Sequence, residues 1–124
     1  MKEEKVIESI ENFLNYYDRY FVNVHGSMYS ANGTPDILTH DKNNRFLAIE
    51  AKVTGNHPTT NQWRHGIETL NSGNRFIVAY EDFDLTKVDN NELPIVEVGN
   101  TVGLDEFEAS ELKLTGTTEV ILRK

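Results

Sequence analysis

Two short segments of the sequence carry the residue types that phosphate-ester chemistry requires. One is the pair Pro35-Asp36, and the other is the triplet Glu50-Ala51-Lys52. Residues 45–53 alternate as a β-strand does, which places Glu50 and Lys52 on one face. Both faces of this strand begin with apolar residues, so we expect it to be buried. Buried charges are costly unless they pair or meet a metal ion or a phosphate, so the two segments predict a metal-dependent phosphodiesterase site.

A β-hairpin should bring the two segments together. Pro35 cannot donate a hydrogen bond to a sheet, so it should lie at the start of a strand. Lys42-Asn43-Asn44 has the composition of a turn, and residues 45–53 then return antiparallel. This arrangement places Asp36 and Glu50 at the same end of the sheet.

Two amphipathic helices and several strands are expected around this hairpin. Apolar residues recur at helical spacing over residues 3–18, and a second helix should begin at Thr59 or Thr60 and end at Gly73. The other predicted elements are strands over 20–25, 75–80, 93–98 and 117–122 and a short helix over 105–112. Over residues 3–80 the order is helix, strand, strand, strand, helix, strand, which indicates an α/β fold.

The motifs and the order of the elements resemble the PD-(D/E)XK nuclease superfamily, and within it the VRR-NUC branch. The resemblance covers about residues 3–80 and rests on residues 25–38, 46–52 and 58–62. It implies a restriction-endonuclease-like core, in which a mixed central β-sheet is flanked by helices in the order α-β-β-β-α-β. An extra C-terminal β-containing segment would follow this core.

The resemblance also implies further site residues and a function. The family carries a glutamate at the start of the first helix, here Glu3 with Glu4 as its rival. It also carries a glutamine that opens the second helix, here Gln62, which could position Lys52 or the nucleophile. The implied activity is that of a DNA endonuclease acting on branched or distorted structures. Small stand-alone members of phage type belong to this branch, and a homodimer is expected.

A divalent cation would assist this reaction, because the negative charge of a phosphodiester repels nucleophiles. Asp36, Glu50 and the main-chain carbonyl of Ala51 would hold the cation, which neutralises phosphate charge and lowers the pKa of a bound water. Oxygen ligands of this kind favour Mg²⁺ or Mn²⁺. Lys52 would orient that water and stabilise charge on the phosphate, and Glu3 could hold the cation through water.

Other polar residues are candidates for contacts with DNA rather than for catalysis. Phosphate contacts could come from His25, Ser27, Tyr29, Ser30, Lys42 and Arg64. The four histidines lack the three- to five-residue spacing of a paired zinc site, so zinc is not expected.

Less specific interpretations of the same residues remain open. Glu50 and Lys52 could form an ordinary exposed ion pair, and Asp36 could be a turn residue. The net charge of -8 is unusual for a nucleic-acid-binding protein. Residues 1–80 hold nine acids and eight bases, whereas residues 81–124 hold eleven acids and four bases, so most of the charge lies in the tail. A catalytically silent acidic protein that imitates DNA is therefore one alternative, and a restriction-type endonuclease is another.

Length and composition set the remaining bounds. The 124 residues suit a single domain, with a nuclease core over about 3–84 and an acidic extension over about 85–124. Cysteine is absent, so the cytoplasm is the expected compartment. The resemblance to small phage-type nucleases implies a bacterial or phage-infected cell. No apolar run approaches the roughly 18 residues of a membrane span, and the charged start is unlike a signal peptide.

Overall fold

The structure, a computed structural model of the chain, describes residues 2–26, 32–99 and 111–123. Three helices and six strands lie in these ranges. The helices are α1 (Glu3–Tyr16), α2 (Thr60–Asn71) and α3 (Leu85–Asp89). The strands are β1 (Val22–Asn23), β2 (Ile37–His40), β3 (Phe46–Ala51), β4 (Arg75–Ala79), β5 (Ile95–Val98) and β6 (Thr118–Leu122). The predicted α/β fold is confirmed.

The six strands form one mixed sheet in the order β1-β2-β3-β4-β6-β5. Neighbours among β1, β2 and β3 are antiparallel, whereas β3 and β4 are parallel and joined by the α2 crossover. β6 runs antiparallel to β4 and parallel to β5. The C-terminal segment therefore completes the central sheet, because β6 lies inside it between β4 and β5.

Helices cover both faces of the sheet and divide the core into two layers. The layer beneath α1 and α3 includes Ile10, Leu14, Ile49, Ile77 and Leu85. The layer beneath α2 includes Ala48, Trp63, Ile67, Phe76 and Val120. Helix α2 lies close to the sheet, because a Cβ atom added to Gly66 would be 2.3 Å from the Phe76 ring. Each large apolar side chain buried in these layers contributes about 1.5–3 kcal/mol.

The hairpin that carries the two motifs forms as expected. All residues of β3 after Phe46 are buried, which confirms the prediction from its two apolar faces. In the turn, the carboxylate of Asp41 accepts the backbone N–H groups of Asn43 and Arg45 at 2.8 and 3.0 Å. Asn44 adopts a left-handed conformation with φ 62°, which asparagine tolerates better than most residues.

The first helix ends earlier than its apolar pattern indicates. It was expected to reach residue 18 but ends at Tyr16, because Asp18 takes φ 53° and cannot continue a right-handed helix. The backbone N–H of Arg19 then donates to the Leu14 carbonyl at 2.7 Å, which closes the helix end. The strand predicted over 20–25 is correspondingly short.

The third helix was not predicted from the sequence. Asp84 caps it by accepting the backbone N–H and the hydroxyl of Thr86 at 2.9 and 2.7 Å. Five residues are too few to show a helical period. The helix predicted over 105–112 lies almost wholly outside the described residues. None of the helices in the described ranges is long and apolar enough to cross a membrane.

A buried ion-pair network joins the C-terminal segment to the hairpin turn. Arg75, at the start of β4, is 3% exposed. Its guanidinium donates to Asp41 at 3.0 Å and to both carboxylate oxygens of Glu119 at 2.8 Å. The same side chain donates to the Val88 carbonyl at 3.1 Å. This network lies at the end of the sheet opposite to Asp36 and Glu50.

Candidate metal centre

The register of the β2–β3 hairpin brings Asp36 and Glu50 together. Ile37 pairs with Ile49 and Leu38 with Ala48 in antiparallel fashion. Continuing this register by one residue sets Asp36 opposite Glu50. The expectation that the hairpin places both carboxylates at one end of the sheet is met.

The first helix supplies a third carboxylate. One oxygen atom from each of Glu3, Asp36 and Glu50 lies within 4.8 Å of the others. Asp36 is 6% exposed and Glu50 is 1% exposed, whereas Glu3 is half-buried. Glu4 is exposed and does not belong to this group, so the structure places Glu3 rather than Glu4 beside the hairpin.

Lys52 lies directly beside the three carboxylates. Its Nζ atom is 3.5 Å from Oε1 of Glu3, and its side chain is only 9% exposed. The backbone N–H of Lys52 donates to the Ala79 carbonyl at 2.8 Å, which fixes the residue against β4. One ammonium group cannot balance three carboxylates, so the cluster retains an excess of negative charge when all three are ionised.

Both oxygen atoms of Asp36 are held by hydrogen bonds. Oδ2 accepts the backbone N–H of Ala51 at 2.8 Å, and Oδ1 lies 2.6 Å from Nδ1 of His25. His25 is in turn placed by its backbone N–H, which donates to Oδ1 of Asn23 at 2.8 Å. Asp36 is therefore fixed in one orientation, with one lone pair left on each oxygen for a further partner.

Glu50 has the opposite environment. Neither of its carboxylate oxygens has a hydrogen-bond partner in the described part of the chain. Burial, followed by the negative charge of Asp36, raises the pKa of Glu50 to about 10 against the weaker opposing effect of Lys52. A buried carboxylate without a partner is costly, and proteins retain such a group where protonation or a cation satisfies it.

These donors fit a hard divalent cation. The cluster offers carboxylate oxygens from α1, from β3 and from the residue before β2. Both oxygen atoms of Glu50 are buried and accept no hydrogen bond from the residues that the structure describes. Oxygen ligands suit Mg²⁺, Mn²⁺ or Ca²⁺ better than softer transition metals. A cation bound among these carboxylates would supply both the missing positive charge and the missing partner of Glu50.

The remaining predicted site residues lie in different places. Gln62 is the third residue of α2, and its Oε1 accepts the backbone N–H of Thr59 at 2.8 Å in a capping box. Arg64 is exposed on α2. Lys42 lies in the hairpin turn at the opposite end of β3, and its Nζ donates to Asn90 at 2.9 Å. Ser27, Tyr29 and Ser30 lie outside the described residues.

The distance of Lys42 from the carboxylates weakens its predicted role in DNA binding at this site. Eight residues separate Lys42 from Glu50 in the chain, and a strand rises about 3.3 Å per residue. The two residues are thus on the order of 20 Å apart along the hairpin. Lys42 was predicted as a phosphate contact, but β3 separates it from the carboxylates.

Gly33 is a structural requirement that sequence reasoning missed. It has φ +89°, and a Cβ atom at this position would lie 2.6 Å from backbone atoms of Asn61 in the first turn of α2. The segment before Asp36 therefore rests directly on the backbone of α2. A glycine three residues before the aspartate was the available signal, although glycine in a polar loop has many other causes.

Comparison of the chain with family models, with curated proteins and with solved structures found no match. The functional assignment therefore depends on the geometry of the site and on the motifs in the sequence.

Proposed function

We propose that the protein is a metal-dependent nuclease that hydrolyses phosphodiester bonds in DNA. The observation that carries this proposal is the fully buried carboxylate of Glu50, which lies close to Asp36 and Glu3 and has no hydrogen-bond partner among residues 2–26, 32–99 and 111–123. In our proposal the sheet and its helices form the restriction-endonuclease-like core of a PD-(D/E)XK nuclease of the VRR-NUC branch. The motifs on residues 25–38, 46–52 and 58–62 support this finer classification.

In the proposed mechanism, the side chains of Asp36, Glu50 and Glu3 would hold Mg²⁺ or Mn²⁺ together with the Ala51 carbonyl. Such a cation, when bound, neutralises phosphate charge and makes water a stronger nucleophile at neutral pH. Glu50 would release its proton to solvent water before it could hold the cation. Asp36 needs no reorganisation, because His25 and the Ala51 N–H already hold it in place.

In this proposal Lys52 is the charge-stabilising group. Its ammonium group is buried beside Glu3, where low solvent exposure strengthens its field at a neighbouring phosphate. A cation among the carboxylates would offset the negative charge of Glu3 that now attracts Lys52. The ammonium of Lys52 would then be available to the phosphate oxygens and to the attacking water.

Branched or distorted DNA is the proposed substrate, and a homodimer the proposed assembly. Both proposals are supported by the family resemblance. Two copies would present two carboxylate clusters to the two sides of a junction. Tyr16 and Tyr20, which are 80% and 74% exposed, offer apolar surface that a second copy could cover.

The acidic-decoy alternative is less well supported by the contacts of the tail. Glu119 pairs with Arg75, and Asp89 pairs with Arg19 at 2.8 Å. Asp84 caps α3, and Asp82 accepts the backbone N–H of Thr117 at 2.9 Å. These four acids therefore have a role in stabilising the fold. A restriction-type endonuclease would share the same cluster, so the choice of DNA substrate separates that alternative.

Cleavage assays with Mg²⁺ or Mn²⁺ on plasmid, single-stranded DNA and synthetic junctions would test the proposal. Lys52→Ala should cut at least about 100-fold more slowly than the wild type, which is the usual cost of removing a charge-stabilising group. Lys87→Ala removes an exposed lysine on α3 and should cut at the wild-type rate. Junction cleavage above plasmid cleavage would favour the structure-specific enzyme over the restriction type.

A second measurement separates catalysis from folding. Lys52→Ala should bind Mn²⁺ at least as tightly as the wild type, because it removes positive charge from beside the carboxylates. A wild-type protein that cuts none of these substrates at any concentration of either metal would overturn the nuclease proposal.

A further inference from the structure

The main-chain carbonyl of Ala51 points towards the β2 side of the hairpin because of the strand register. Neighbouring residues in a strand direct their backbone groups to opposite edges. The N–H of Lys52 donates across to Ala79 on β4. The N–H of Ala51 donates to Oδ2 of Asp36, on the β2 side. The carbonyl of Ala51 shares that edge with its own N–H and therefore points to the β2 side as well.

Pro35 is the residue that an uninterrupted ladder would place opposite Ala51. Ile37 pairs with Ile49, and two further steps along the same antiparallel register reach Pro35 and Ala51. Residues paired in this way exchange two hydrogen bonds, one from each N–H to the other carbonyl. Proline has no N–H, so it cannot donate to the Ala51 carbonyl.

The other hydrogen bond expected between Pro35 and Ala51 is also missing from the ladder, because its donor bonds to a side chain. The N–H of Ala51 would donate to the Pro35 carbonyl in a regular ladder, but it donates to Asp36 instead at 2.8 Å. The paired register accordingly stops at Ile37 and Ile49. Pro35 is buried, so water has little access to this side of the ladder. A buried carbonyl at this position needs a partner other than the neighbouring strand.

We infer that Pro35 is a positioning residue, which leaves the Ala51 carbonyl free as a ligand for the divalent cation. This inference rests on the proposed metal centre and extends it to a residue with no ligand atom of its own. An N–H at position 35 would compete with the cation for the carbonyl. Pro35 and Asp36 thus act together. Pro35 has no N–H to donate to the Ala51 carbonyl, and the carboxylate of Asp36 accepts the hydrogen bond from the Ala51 N–H.

The test is Pro35→Ala, which restores a backbone N–H with little change in size. In the metal-free protein, the amide introduced at position 35 should be protected from hydrogen exchange, as measured by NMR. Titration with Mg²⁺ should reduce this protection. Calorimetric titration with Mn²⁺ should show an affinity about tenfold or more below that of the wild type, the usual effect of disturbing the support of a metal ligand.

Pro58→Ala is the matched control, because Pro58 is also buried but lies before α2 and away from the ladder. Pro58→Ala increases the flexibility of the unfolded chain as much as Pro35→Ala does. The Pro58→Ala variant should nevertheless bind Mn²⁺ with the affinity of the wild type. Pro35→Gly also restores the N–H and should weaken binding in the same way.

Two kinds of failure can be told apart. If the wild type binds Mn²⁺ and the affinity of Pro35→Ala is within twofold of the wild-type affinity, the inference about Pro35 is wrong. The proposed metal centre would still be supported by that result. If the wild type binds no Mn²⁺, the proposed function fails and the inference fails with it. If both variants of Pro35 fail to fold while Pro58→Ala folds, the inference is also wrong, because it requires the sheet to accommodate the new N–H.

Discussion

Raising the pH from about 6 to about 8 should tighten Mn²⁺ binding about a hundredfold, because Glu50 must lose a proton before it holds a cation. Burial, then the negative charge of Asp36, raises the pKa of Glu50 from an ordinary 4.5 to about 10. Between these values the Asp36–Glu50 pair of the metal-free protein carries one proton that the cation-bound form lacks. Each pH unit in this interval therefore changes the affinity about tenfold.

Isothermal titration calorimetry can measure this proton directly. At about pH 7, the heat of Mn²⁺ binding should vary with the ionisation enthalpy of the buffer and correspond to about one proton released per cation. Glu50→Gln cannot release this proton and should lose both the dependence on pH and most of the affinity. Wild-type binding that is flat in pH and releases no proton would refute the reasoning, since Glu50 would then already be ionised.

The stability of the metal-free protein should depend on pH with a definite sign. The folded pKa of Glu50 lies above its unfolded value, so its contribution is fully present below about pH 4.5 and is lost as the pH rises towards about 10. The free energy of unfolding should fall by up to about 1.4 kcal/mol per pH unit within that window. Urea denaturation in the presence of a chelator measures this slope, and Glu50→Gln should remove it.

Two further predictions concern residues that hold the fold together, one beside the site and one at the opposite end of the sheet. Gly33→Ala should lower the free energy of unfolding by at least about 2 kcal/mol, because a positive φ and a backbone contact both oppose a Cβ atom. Gly55→Ala shares the positive φ but meets open space, so it should cost about 1 kcal/mol, and equal losses in urea denaturation would contradict this account. Arg75→Met should cost about 3–5 kcal/mol by leaving the buried carboxylate of Asp41 and the half-buried carboxylate of Glu119 without their cationic partner. Arg45→Met, at an exposed arginine, should cost less than about 1 kcal/mol in the same assay, and a loss equal to that of Arg75→Met would show that the buried pairs contribute nothing specific.

The parts of the fold that depend on local pattern were predictable from the sequence. The turn at Lys42-Asn43-Asn44 and the apolar faces of β3 specify the hairpin, and the hairpin alone places Asp36 opposite Glu50. Thr59 and Gln62 form a capping box, which identifies the start of α2 in the sequence. In these cases residues that are close in the chain make the deciding contacts.

Contacts between residues that are far apart in the chain could not be predicted from the sequence. Nothing in residues 118–122 indicates that β6 inserts beside β4, because any buried strand has the same apolar pattern. The bond between Arg75 and Glu119 spans 44 residues and depends on that insertion. The hydrogen bond between His25 and Asp36 could likewise not be predicted, because it depends on the pairing of β1 with β2.

Two buried acids of the same hairpin show which property marks a functional residue. Asp41 is 4% exposed, and burial alone would raise its pKa, but the Arg45 N–H and the Arg75 guanidinium lower it below its usual range. Glu50 is 1% exposed, has no such partners in the described part of the chain, and has a raised pKa. Burial is common to both, so burial alone does not identify the site. Asp41 is satisfied by the protein and stabilises the turn, whereas Glu50 is satisfied only by a proton or by a cation.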